Sequence, residues 1–177
     1  MQKNWYMVYT KPKWEKKVVA TLTKRKIENF FPVNNSKQVT YLKKIKIQKE
    51  PLFESYVFVN AIESDLSGIK LINGVVNFIY WKGKPAIVQP EEIEVIKEFT
   101  TDYQNIRLER TKVNVNDVAK VIDGAKYSID GNILTIKNTI VKVNLPSIGF
   151  TLSAKVETEN SLHQKVSFGD KKLLLQS

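Results

Sequence analysis

The chain has no cysteine and a single histidine, His163. Without thiols there is no disulfide framework, no thiolate nucleophile and no sulfur-ligated metal site. The lone histidine, in a polar stretch near the end, has no cysteine with which to share a metal. Glycine is sparse, seven residues in 177, and no glycine-rich loop leads into a helix, so no phosphate cradle of the nucleotide-binding type is expected. No run approaches the roughly 20 consecutive apolar residues needed to cross a bilayer. The N-terminal segment lacks the apolar core of a signal peptide. The expectation is a cytoplasmic protein with no membrane partner, cofactor or metal. The carboxylates are scattered, and Glu91, Glu92 and Glu94 have a structural reason to sit at a helix start. No nucleophile–base pair is visible, so no enzyme is expected.

Acidic residues are scarce in one place. Residues 1–50 carry 13 lysines and arginines against Glu15, Glu28 and Glu50, a balance of +10, whereas residues 51–177 carry 15 of each sign. All the excess positive charge is therefore concentrated in the first 50 residues. Such a field suits a polyphosphate, since each neutralised phosphate releases condensed counterions. A lysine-rich surface kept for solubility is the competing account.

Along the chain, Trp5–Thr10 reads as an aromatic, alternating strand. Pro12 suits the first turn of a helix running to about Ile27, with Val18, Val19 and Leu22 inward and Lys13, Lys16, Lys17 and Lys24 outward. Asn29–Val33 gives a short strand. Two polar arms, Lys37–Leu42 and Ile45–Lys49, pivot on Lys43 and Lys44 as a projecting basic hairpin. Edge lysines of this kind also block strand-on-strand aggregation. Pro51-Leu-Phe-Glu-Ser then leads into Tyr56–Val59, a β-branched and aromatic strand buried on both faces. Ser64 or Asp65 caps a short helix through Leu71, Val75–Trp81 is a strand, and Lys82–Pro85 is a tight turn before Ala86–Val88. Pro90 opens a second long helix with Ile93, Ile96 and Phe99 inward and Val95 at the stripe's edge. Residues 104–112 lose periodicity and read as a linker. From Val113 to Glu157, β-rich segments with turn signals about every ten residues suggest a small barrel. The tail, 158–177, is a last strand or a docked segment. The fold class is therefore α+β: a sandwich of one antiparallel sheet and helices over 1–103, the 104–112 linker, and a β-barrel with tail over 113–177.

Four motifs in order carry a resemblance. Trp5-Tyr-Met-Val-Tyr-Thr-Lys-Pro-Lys-Trp, Pro51-Leu-Phe-Glu-Ser-Tyr-Val-Phe-Val, Gly74-Val-Val-Asn-Phe-Ile and Gly83-Lys-Pro-Ala resemble the N-terminal (NGN) domain of NusG-type transcription elongation factors. Val121-Ile-Asp-Gly124 with Gly131 resembles the SH3-like KOW barrel that follows it. The resemblance implies docking on the clamp helices of the RNA polymerase β′ subunit through aromatics matching Tyr9, Phe53, Tyr56 and Phe58. It also implies a basic surface at Lys11, Lys13, Lys16 and Lys17 facing upstream or non-template DNA, with Lys43, Lys44 and Lys46 of the hairpin as a further nucleic-acid contact. The implied activity is suppression of pausing and termination. The family's Phe-Pro-Gly-Tyr is here Phe53-Glu-Ser-Tyr56, and Glu50-Pro-Leu-Phe looks more like the RfaH-type paralogues, antiterminators of selected operons. The loop that meets Rho or a small-subunit ribosomal protein in housekeeping members reads Ile148-Gly149-Phe150. Some RfaH-type members store the second domain as a helical hairpin; Gly131, Pro146, Gly149 and the β-branched runs favour a barrel here. A monomer is expected. The alternative is a ribosome-associated or RNA-binding module, nascent RNA included, using the barrel and the basic hairpin. A DNA-binding repressor lacks a visible helix-turn-helix.

Overall fold

The computed structural model describes residues 2–39, 45–111, 126–129, 132–137 and 140–155. Its elements in order are β1 Asn4–Thr10, α1 Glu15–Lys24, β2 Glu28–Phe30, β3 Val33–Val39, β4 Ile45–Pro51 and β5 Tyr56–Ala61. A 3-10 turn at Glu63–Asp65 leads to α2 Leu66–Lys70, β6 Val75–Phe78, β7 Tyr80–Trp81, β8 Lys84–Pro85, β9 Ile87–Val88 and α3 Pro90–Asp102. The C-terminal strands are β10 Arg107–Arg110, β11 Lys126–Ile129, β12 Asn132–Lys137, β13 Ile140–Leu145 and β14 Phe150–Lys155.

The N-terminal sheet runs β2-β5-β1-β6, with β9 also pairing β1, and every one of these ladders is antiparallel. Strand alternation sends Tyr6 and Val8 of β1, with Val57, Val59 and Ala61 of β5, against Val18 and Leu22 of α1. The opposite face carries Trp5, Met7 and Phe58 against Ile93, Ile96 and Phe99 of α3. The two central strands are thus largely buried on both sides, as the unbroken run Tyr56–Val59 foretells for β5.

Helix α1 is shorter than the expected 12–27. Lys13 takes a left-handed φ of 62°, so Pro12 belongs to a turn and the helix starts only at Glu15. Its end is a Schellman motif made without glycine: Lys26 adopts φ 59°, Lys26 N–H reaches Thr23 O and Ile27 N–H reaches Leu22 O. At α2, neither Ser64 nor Asp65 supplies a side-chain cap. The basic hairpin is a two-stranded ribbon of β3 and β4, in register from Val33↔Pro51 to Val39↔Ile45. Its tip, with Lys43 and Lys44, lies outside the described residues, as do the Val121–Gly124 motif, Gly131, His163 and the tail.

The expected barrel is not what forms. The C-terminal strands make a sheet in the open order β10-β14-β13-β12-β11, and among the described residues no ladder joins β10 to β11. Instead of rolling its apolar face onto itself, this sheet lays Val141, Val143, Leu145, Leu152 and Ala154 into the same core as α3, Phe53 and Phe58. Burial against a neighbouring layer removes the drive to close. Residues 107–110, within the segment read as a linker, are β10 and pair with β14 from Arg107↔Ser153 to Arg110↔Phe150. The turn before β10 is held by Asn34, whose side chain both donates to Ile106 O (2.9 Å) and accepts from Ile106 N–H (3.0 Å).

Candidate interaction site

Tyr9 at the end of β1 and Tyr56 at the start of β5 are direct cross-strand partners, with ring centroids 5.4 Å apart. Tyr9 is 37% exposed, and Tyr56 is half-buried against the core. Phe58, two residues further along the same face, is fully buried. Phe53 is also buried, edge-on to Phe58 at 5.3 Å and edge-on to Phe150 of the C-terminal sheet at 5.5 Å. Of the four aromatics singled out from sequence, two form a surface pair and two form the core beneath it.

The turn that presents Tyr56 explains the missing glycine. Ser55 occupies the left-handed region at φ 64°, where glycine is usual. Its N–H donates to Glu15 Oε1 at 2.7 Å, and its carbonyl accepts from Thr10 N–H at 2.8 Å. A buried carboxylate at the start of α1 therefore holds the strained residue from one side and β1 holds it from the other. The two residues are 40 positions apart, so the periodicity of α1 does not show this contact.

Lys11, Lys13, Lys16 and Lys17 are all exposed. They flank Trp14, whose ring carries the Lys17 ammonium at 4.5 Å and that of Lys11 at 5.5 Å. Trp14 in turn lies over Gly74, where a β-carbon would come within 2.6 Å of Trp14 Cε3. This packing joins the first and third motifs in space. Lys46 is exposed on the β3–β4 ribbon beside Ile45 and Ile47, which are also exposed.

Ile148, Gly149 and Phe150 form the β13–β14 turn, with Gly149 at φ 70° and its N–H bonded to Leu145 O at 2.9 Å. Ile148 and Phe150 pack against the shared core, and Arg110 lies over the outer face of Phe150. A second tie was not foreseen. Buried Glu92, in the first turn of α3, accepts from Ser147 N–H at 2.9 Å and from the Ser147 hydroxyl. Desolvation pushes the Glu92 carboxyl above its usual range, and Glu91 nearby adds to this, while the two Ser147 bonds act in the opposite sense.

An apolar pair beside a cationic surface, on a sheet-and-helix domain joined to a small β-sheet domain, is the build of a macromolecule-binding protein. Among the described residues no group of three or more histidines, cysteines or carboxylates could hold a metal, and no helix is long and apolar enough to cross a membrane. Residues 3–97 match the family model described as "Transcription termination factor nusG". The chain is 31% identical over 174 residues to the transcription termination/antitermination protein NusG of Bacillus subtilis (strain 168), covering 90% of this chain and 96% of that one. To the same-named protein of Streptococcus pyogenes serotype M1 it is 29% identical over 168 residues, covering 88% and 93%. A solved structure described as "Domain interaction in Thermotoga maritima NusG" overlays 88% of this chain and 94% of that one, at 22% identity and a TM-score of 0.49.

The chain belongs to the NusG family of transcription factors. NusG-family proteins act in transcription elongation with RNA polymerase, in the cytoplasm, and catalyse no reaction.

Proposed function

We propose that this chain is an RfaH-like elongation factor and antiterminator that docks on the β′ clamp helices and suppresses pausing and termination at selected operons. The observation that carries this is the Tyr9–Tyr56 pair, Tyr9 exposed and Tyr56 half-buried, on the strand ends next to the exposed lysines of the α1 region. An apolar anchor beside a cationic rim suits a protein surface that lies next to DNA. Phe53 and Phe58 shape the pair from beneath. Phe53 itself becomes available to a partner only when Phe150 moves away from it. Lys11, Lys13, Lys16 and Lys17 face upstream or non-template DNA, and Lys43, Lys44 and Lys46 extend that contact. Ile148, Gly149 and Phe150 are the loop for a second protein, Rho or a small-subunit ribosomal protein.

The test is binding of the full chain to a fragment carrying the clamp helices, for the parent and for Tyr9→Ala with Tyr56→Ala. Both rings are at the surface, so the fold should survive their removal. Losing two central aromatic anchors should cost about 2 kcal/mol or more, roughly 30-fold in affinity. Parental affinity retained by the double variant, or no binding by the parent, would refute the docking site.

The exposed β3–β4 ribbon, with Ile45, Lys46, Ile47 and Lys49 on its surface, favours a second reading, an RNA-binding module linked to the ribosome. That reading requires affinity for RNA that falls steeply as salt rises.

A further inference from the structure

The β7–β8 hairpin plays no part in the docking described above. Tyr80 and Trp81 are joined to Lys84 and Pro85 by Lys82 and Gly83, with φ values of 49° and 79°. Two successive positive φ angles mark a tight primed turn, whose twist matches that of its strands, so the tip is short and well defined. Alternation separates the two rings. Tyr80 lies opposite Pro85, and the Lys70 ammonium donates to its hydroxyl at 3.0 Å, 5.5 Å from the ring centroid. Trp81 lies opposite Lys84 and turns to the other face of the ribbon.

Trp81 is 67% exposed, well above the other exposed aromatics Tyr80 and Tyr9. The other two tryptophans are used in packing: Trp5 is buried in the core and Trp14 covers Gly74. The local charge is one-sided. From Leu66 to Pro90 the sequence holds Lys70, Lys82 and Lys84 and no aspartate or glutamate. An indole on a two-residue arm offers one flat apolar face, too small for a protein interface core yet the size of a base. Lys82, next in sequence, and Lys84, opposite Trp81 across the ribbon, put two cations beside such a face, where the phosphates next to that base would lie. A duplex keeps its base faces stacked within, so the matching ligand is a single strand.

We propose that Trp81 is a stacking platform for an unpaired base of single-stranded nucleic acid, with Lys82 and Lys84 on the flanking phosphates. Lys70 holds Tyr80 and the root of the hairpin in place. This site is separate from the α1 lysines and from the β3–β4 ribbon, and it does not rest on polymerase docking.

The experiment measures fluorescence anisotropy of labelled oligo(dT), oligo(rU) and a duplex, each about 12 nucleotides long, with the full chain. The parent should bind the single strands more tightly than the duplex, with quenching of tryptophan emission. Trp81→Ala should weaken single-strand binding by about 10-fold or more and abolish most of the quenching, while Trp81→Phe, which keeps a stacking face, should stay within about 3-fold of the parent. Lys82→Glu with Lys84→Glu should weaken binding and flatten its salt dependence. Comparison of the dT and rU arms identifies DNA or RNA as the preferred strand. Parental affinity in Trp81→Ala, an equal loss on duplex and single strands, or no single-strand binding by the parent would each overturn the proposal. Loss of clamp-helix binding in Trp81→Ala with unchanged oligonucleotide binding would overturn it in favour of a protein contact.

Discussion

Replacing Gly74 by alanine tests the packing that connects the basic surface to the sheet. Gly74 has φ 96°, outside the ordinary range of residues with a β-carbon. An added β-carbon would lie 2.6 Å from Trp14 Cε3, 3.2 Å from Trp14 Cδ2 and 3.1 Å from Val18 Cγ2. The first distance is a clash, so the indole must move, and Val18, fully buried, leaves little room on that side. Backbone strain contributes about 1–3 kcal/mol. Overpacking adds about 1–3 kcal/mol, and the stiffer unfolded chain returns about 0.4–1 kcal/mol. The expected net loss is about 1–5 kcal/mol. Urea unfolding followed by circular dichroism measures it. Trp14→Ala removes the ring that the methyl would strike, so in the double variant the main clash disappears and backbone strain with the tight approach to Val18 remains. A favourable coupling of about 1–3 kcal/mol is therefore expected. Because Lys11 and Lys17 both stand over Trp14, Gly74→Ala should also weaken nucleic-acid binding through the α1 region. A Gly74→Ala protein within about 0.5 kcal/mol of the parent, or strict additivity with Trp14→Ala, would refute the reasoning.

Two further outcomes concern the C-terminal sheet. Burial raises the Glu92 carboxyl above its unfolded value, so the folded state binds the proton more tightly. Stability from this group is full at pH below the unfolded value near 4.5 and is lost as pH rises through the higher folded value. Glu92→Gln removes that dependence; thermal unfolding from about pH 4 to 7 should show the stability difference moving in favour of the glutamine variant as pH rises. A constant difference across that range would show that Glu92 keeps its ordinary acidity. Phe150→Ala removes the ring standing edge-on to Phe53. Aromatic pairs of this kind contribute about 0.5–1.5 kcal/mol beyond their area. Loosening this cover should tighten clamp-helix binding by several-fold, as the competent population rises. Isothermal titration calorimetry measures it, and unchanged or weaker binding would show that Phe150 does not obstruct the partner.

The elements that follow from local chemistry were legible in the residues. Alternating aromatic and β-branched runs specify β1 and β5, the Ile93/Ile96/Phe99 spacing specifies the buried stripe of α3, and Lys82-Gly83 specifies its turn. The concentration of positive charge in the first 50 residues is likewise a property of the sequence alone. Tertiary structure decided what one-dimensional patterns do not encode. A φ of 62° at Lys13 depends on how the chain leaves β1, so Pro12 could not reveal where α1 starts. Tyr9 and Phe58 have the same alternation and the same chemistry, and only the position of each along the ladder puts one at the surface and the other in the core. Whether the C-terminal strands close or remain open depends on what covers their apolar face, and that cover comes from α3 and Phe53, distant in sequence. Pairings such as Glu15 with Ser55, Glu92 with Ser147 and Trp14 with Gly74 are contacts across 40, 55 and 60 positions. Periodicity reports the faces of single elements; which faces meet is decided only when the whole chain packs.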